Sequence, residues 1–175
     1  MQKIKHTATL LIPVLVVFAV LYVVFTAGGT LRFGLFDRDA WFDSHWVAAG
    51  APITLGQRLV YLTVWLLPVA FGLYAVYGAL RLSLIVRRGV LFDLRISRYW
   101  RQIGLGTSAS GLTDFIANLV SPKILSWANP GGAEPFRWYF DSEPAGLIVC
   151  GGGFYLVGWM MAEAIRLAEE NESFV

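Results

Sequence analysis

Thr107, Gly111, Asp114 and Asn118 recur at i, i+4, i+7 and i+11. On a helix those positions share one face, so they draw a stripe of small and polar residues around a single carboxylate. The run that carries them, residues 103–120, is otherwise largely apolar. Asp114 lies about 16 Å along such a helix from Ile103, which is near the midplane of a bilayer. An ionisable side chain at that depth costs a few kcal/mol and marks a functional candidate. The stripe can glue helices together through hydrogen bonds and close packing. It can also handle a proton or an ion at Asp114. Arg58, at the outer end of the preceding apolar segment, is the nearest basic partner by topology. Failing that, Asp114 is protonated or hydrogen-bonded to Tyr61, Thr63 or Tyr155.

Other chemistry is thinly represented. The only histidines, His6 and His45, fall near opposite faces of the membrane and cannot share one haem. The single cysteine, Cys150, excludes an internal disulfide and any multi-cysteine metal site. Clustered histidine and carboxylate ligands are also lacking. Gly151, Gly152 and Gly153 sit inside an apolar run, where small residues let helices approach closely, rather than in a phosphate loop. The sequence therefore predicts no enzyme activity and no cofactor. A net charge of +2 gives no ground for a nucleic-acid partner.

The elements that position these residues follow from composition. The chain has 175 residues, one domain by length, with 57 % hydrophobic and only 15 % charged residues. That is too few charges to coat a soluble surface, so the long apolar runs must meet lipid. Four runs approach the roughly 20 residues that span a bilayer, at about 7–26, 59–80, 103–120 and 147–165. Each must be helical, because hydrocarbon leaves no other partner for the backbone. The first follows Lys3 and Lys5 but is too long for a signal-peptide core and lacks a clean small-x-small cleavage site. It reads as a retained transmembrane helix.

Four spans place both termini and the middle loop, residues 87–102, on one side. That side would carry nine of the 14 lysines and arginines and the other side five, so the termini and the arginine loop are predicted to be cytoplasmic. The arginine-rich loop is then first a topology determinant. Asp93 can cap a helix leading into the third span, with Ile96, Tyr99, Trp100 and Ile103 on one face. Arg95, Arg98 and Arg101 lie toward the other, as in an amphipathic piece at the membrane interface or a docking site for a cytoplasmic regulator. The acidic tail, with Glu169 and Glu170, opposes the helix dipole and is expected to fray unless the arginine loop neutralises it. Glu163 and Arg81 fall at similar depth and could close the bundle as an ion pair. The two outer loops hold Trp41, Trp46, Trp127 and Trp138, either as an aromatic belt at the headgroups or as a face that grips another protein. Short interfacial helices would suit both.

The stretch RRGVLFDLRISRYWRQIG has a turn of the form G-x-x-F and an amphipathic run ending in R-x-x-G. The tail AEAIRLAEENESFV is similar to one ending in E-E-N-E-L-T-V, with Ser173 and Phe174 where that pattern has Leu and Thr. With four apolar spans, these stretches resemble the bacterial membrane family called domain of unknown function 2975. The resemblance implies a small four-helix protein of the bacterial inner membrane and suits a signalling or regulatory role. It implies no catalytic residues. The expected function is that of an accessory or assembly subunit bound to other membrane proteins. A sensor acting through the basic loop and acidic tail is the alternative, and a small proton- or ion-coupled transporter a third.

Overall fold

The computed structural model describes residues 2–89, 93–134, 136 and 142–172. These residues form helices and turns, with no strand among them. Helix α1 (Gln2–Tyr22) runs on through a π-helical turn (Val23–Ala27), α2 (Gly28–Leu31) and a second π-helical turn (Arg32–Phe36). Short α3 (Arg38–Asp43) follows, then α4 (Leu55–Arg87), α5 (Leu94–Leu125) and α6 (Ser142–Glu172). The first rod therefore continues beyond the residue 26 expected from hydropathy. Three stretches are long and apolar enough to cross a membrane: His6–Phe36, Leu55–Arg87 and Ser142–Glu170.

Residues 103–120 are not a separate helix but the middle of α5, which at 32 residues matches its neighbours in length. Its lower apolar content follows from where it packs. α5 is the central helix, antiparallel to both α4 and α6, and turns Gly104, Gly106, Ser110, Gly111, Ala117 and Ser121 inward. Small residues bring the backbones together. A Cβ on Gly106 would lie 2.8 Å from the Ala75 amide nitrogen, and one on Gly111 2.7 Å from the Pro144 carbonyl oxygen. One on Gly158 would lie 2.8 Å from the Arg101 amide nitrogen. Close backbone approach of this kind holds helices together where no hydrophobic force drives them. α1 packs mainly along α4 and keeps most of its surface outward.

Capping fixes the helix ends. Thr54 and Gln57 form a reciprocal capping box at the start of α4. Gln57 Nε2 also donates to the carbonyls of Ile124 (2.8 Å) and Leu125 (2.7 Å), tying the start of α4 to the end of α5. Asp93 accepts from the Arg95 amide at 2.7 Å, as expected of a cap. The helix it starts is α5 itself, so residues 94–102 form the first turns of a long helix and not a separate element. Its apolar face turns inward, with Ile96 buried and Arg95 and Arg98 exposed.

Candidate functional site

The polar stripe of α5 opens onto a cleft built by four helices. Pro68 stands mid-way along α4, and its carbonyl accepts from Ser110 Oγ at 2.9 Å and from Tyr22 Oη at 3.4 Å. Tyr22 reaches that point because Gly72 has no side chain; a Cβ there would lie 2.5 Å from the tyrosine oxygen. The Tyr22 and Ser110 hydroxyls thus share one carbonyl acceptor. They stand at the junction of two hollows, both lined by Tyr22, Ser110, Glu143 and Leu147.

The outer hollow, about 380 Å³, adds Asp114, Asn118, Thr26 and Trp65. The inner hollow, about 330 Å³, adds Phe18, Gly72, Ala75, Val76 and Thr107 and is mostly apolar. Asn118 Nδ2 donates to the Asp114 backbone carbonyl at 3.0 Å and stands 3.5 Å from its carboxylate. Asp114 lies about 20 Å along α5 from Arg101, and Glu143 about 22 Å along α6 from Gly158, which abuts Arg101. Both carboxylates thus stand at one level of the bundle, in one cavity.

The four stripe residues are brought together in part. Thr107, Asp114 and Asn118 line the two hollows, while Gly111 turns to α6 and is filled by Pro144 and Leu147. Glu143, Tyr22 and Ser110 were not singled out by the stripe. Glu143 occupies the first turn of α6, in a stretch that reads as loop. The signal for it was an acidic residue just before an apolar run.

Arg58 does not reach Asp114. Its guanidinium donates to the Leu35 and Gly34 carbonyls at the end of the first rod and lies 5.6 Å over the Trp41 ring. Arg81 and Glu163 do not close the bundle as a pair. Arg81 donates to Tyr77 Oη at 2.8 Å, and Glu163 pairs with Arg166 within α6. Arg166 also holds Glu170 at 2.8 Å, so the tail is neutralised from its own helix and stays helical to Glu172. Arg101 turns to α6 and sits 5.6 Å over the Trp159 ring, away from the tail carboxylates. Arg95 pairs with Asp93 at 2.7 Å, and this partner, with the backbone hydrogen bond, holds the Asp93 carboxyl below its usual range. Arg98 and Glu169 are exposed.

Of the outer tryptophans, Trp41 is not at a surface. It is 0 % exposed, donates from Nε1 to the Phe33 carbonyl at 2.7 Å, and packs on Phe33 and Tyr61. Its indole finds both an apolar bed and an acceptor inside the fold, so it cannot grip another protein. Trp46 is half-buried and Trp127 is 56 % exposed. Trp138 lies outside the described residues. Asn129 joins the two outer loops, accepting from the Ala48 amide and donating to the Trp46 carbonyl, both at 2.9 Å.

Among the described residues no three histidines, cysteines, aspartates or glutamates converge as a metal site. No protein-family profile matches the chain, and neither does any curated protein or solved structure.

Proposed function

We propose that the chain is a four-span protein of the bacterial inner membrane, both termini cytoplasmic, that acts without catalysis as an accessory subunit of a larger membrane assembly. The resemblance to domain of unknown function 2975 belongs to the same proposal. The length of α5 and its place between α4 and α6 support a fourth span, and the arginine bias supports the orientation.

The observation that carries the partner reading is on the outer face of α6. Gly146, Gly152 and Gly153 have nothing within 4 Å of an added Cβ, whereas Gly104, Gly111, Gly151 and Gly158 are each filled by a neighbouring helix. Val149 (75 % exposed), Leu156 and Met160 flank the open glycines. Glycine inside a helix is about 1 kcal/mol less favourable than alanine, and among the described residues no packing offsets that cost at these three positions. A facing helix from another subunit would use them.

Extraction in a mild detergent followed by native mass spectrometry tests this reading. Co-migration with other membrane subunits at fixed stoichiometry is expected, and release of the chain by Gly153→Leu without loss of fold. A lone 19.4 kDa chain, or a pure homo-oligomer, would overturn it.

The exposure of Arg98, Glu169 and Glu170 favours a second reading, a regulator that engages a cytoplasmic partner. Arg95 and Arg101 are engaged within the fold, which leaves Arg98 as the arginine of that trio to examine first.

A further inference from the structure

The cleft between α1, α4, α5 and α6 has a polarity gradient. Its outer hollow holds two carboxylates, Asp114 and Glu143, with the Asn118 amide and the rings of Trp65 and Tyr22. Its inner hollow is walled by Phe18, Ala75, Val76 and Leu147, with Thr107 at its rim. From Thr107 to Asn118 the two hollows follow about 16 Å of α5. Each falls in the size range of small-molecule sites, roughly 300–1,000 Å³. The seams α1–α4, α4–α5 and α5–α6 are extensively packed, and α1 against α6 is not, so the cleft opens between those two helices. In the membrane placement proposed above, that opening faces the lipid.

Carboxylates attract cations and repel anions, and more strongly at low dielectric than in water. Indole and phenol faces beside them favour an ammonium group further. An apolar arm continuous with such a head site takes hydrocarbon. We infer that the cleft binds an amphiphilic amine entering sideways from the bilayer, its ammonium at Asp114 and Glu143 and its apolar body in the inner hollow. Tyr22 and Ser110 stand where head and body would meet. The inference rests on the membrane placement and not on a partner subunit, so absence of co-purifying subunits leaves it standing.

The test uses the full chain in phosphatidylcholine nanodiscs, with tritiated dodecylamine as probe and empty nanodiscs as the partition control. Saturable binding of one dodecylamine per chain is expected, displaced by unlabelled dodecylamine but not by equal dodecanol or dodecyl sulfate. Asp114→Asn with Glu143→Gln should weaken binding at least about tenfold, as expected for loss of roughly 1.4 kcal/mol of charge recognition. Glu169→Gln, on the exposed tail, should leave it unchanged. Val76→Trp, which keeps both carboxylates and fills the inner hollow, should weaken binding as well. Partition equal to that of empty nanodiscs would overturn the inference, as would full displacement by dodecanol or unchanged binding in a folded double variant. Should the double variant not fold, the competition by dodecanol on the unaltered protein and the Val76→Trp result still decide.

Discussion

At the scale of single residues, glycines divide into those the fold has filled and those it has left open. A Cβ on Gly104 would collide with the Tyr155 amide and lie 2.6 Å from the Gly151 carbonyl oxygen, both backbone atoms that cannot rotate away. Gly104→Val should therefore push α5 and α6 apart and destabilise the bundle by about 1–3 kcal/mol, the usual cost of overpacking. Gly153→Ala meets nothing and should be neutral or stabilise by up to about 1 kcal/mol, through helix propensity. Unfolding of both purified variants in a mixed-micelle SDS titration would check the contrast; equal midpoints would contradict it. The sequence shows that glycines are abundant in the apolar runs, but not which face each one turns. The same holds for tryptophan. Trp41 and Trp127 look alike as loop aromatics, yet Trp41, carried on α3, closes a core with Phe33 and Tyr61, whereas Trp127, in the turn after α5, stays exposed.

At the scale of elements, the start of α5 is set by one side chain. Asp93 accepts from the Arg95 amide and pairs with its guanidinium, and both interactions favour the ionised carboxyl. A carboxyl whose folded pKa is lowered contributes its stabilisation fully above its unfolded pKa, about 3.9, and loses it as pH falls through the lower, folded value. The first turn of α5 should thus be firm at neutral pH and loosen only below about pH 4. Asp93→Ala should loosen it at every pH. Amide hydrogen exchange at residues 95–98 reads both effects, and a first turn equally protected in Asp93→Ala would show that packing of Ile96, not the cap, sets the boundary. This cap was legible, since Asp followed by an apolar-periodic run is a helix-start signal. The opposite end of the site was not. The first turn of α6 falls in a Gly, Pro and acidic-rich stretch that reads as loop, so Glu143 did not appear beside Asp114 until the antiparallel register of α5 and α6 was known. Arg166 was likewise visible in sequence, but its choice of Glu163 and Glu170 over a distant partner depends on helical spacing alone.

At the scale of the whole molecule, the proposed four crossings rest on contacts between the α3–α4 and α5–α6 connections. Asn129, just beyond α5, makes two backbone hydrogen bonds to residues 46 and 48, between α3 and α4. Gln57 adds two more between the start of α4 and the last residues of α5. These four bonds hold the segment after α5 against the segment before α4, which supports the proposed fourth crossing independently of the hydropathy of α5. Hydropathy and arginine counting point the same way, but neither could find the clasp, because it joins positions 67 to 83 residues apart through two amide side chains. Single cysteines at the exposed positions Ala49, Ala133 and Arg88, in a Cys150→Ala background, make the arrangement measurable in intact cells. Ala49→Cys and Ala133→Cys should both react with a membrane-impermeant maleimide from outside, and Arg88→Cys only after permeabilisation. Reaction at Ala49→Cys with protection at Ala133→Cys would mean that α5 does not cross, that the clasp is not formed in the membrane, and that the acidic cleft loses the wall that carries Asp114.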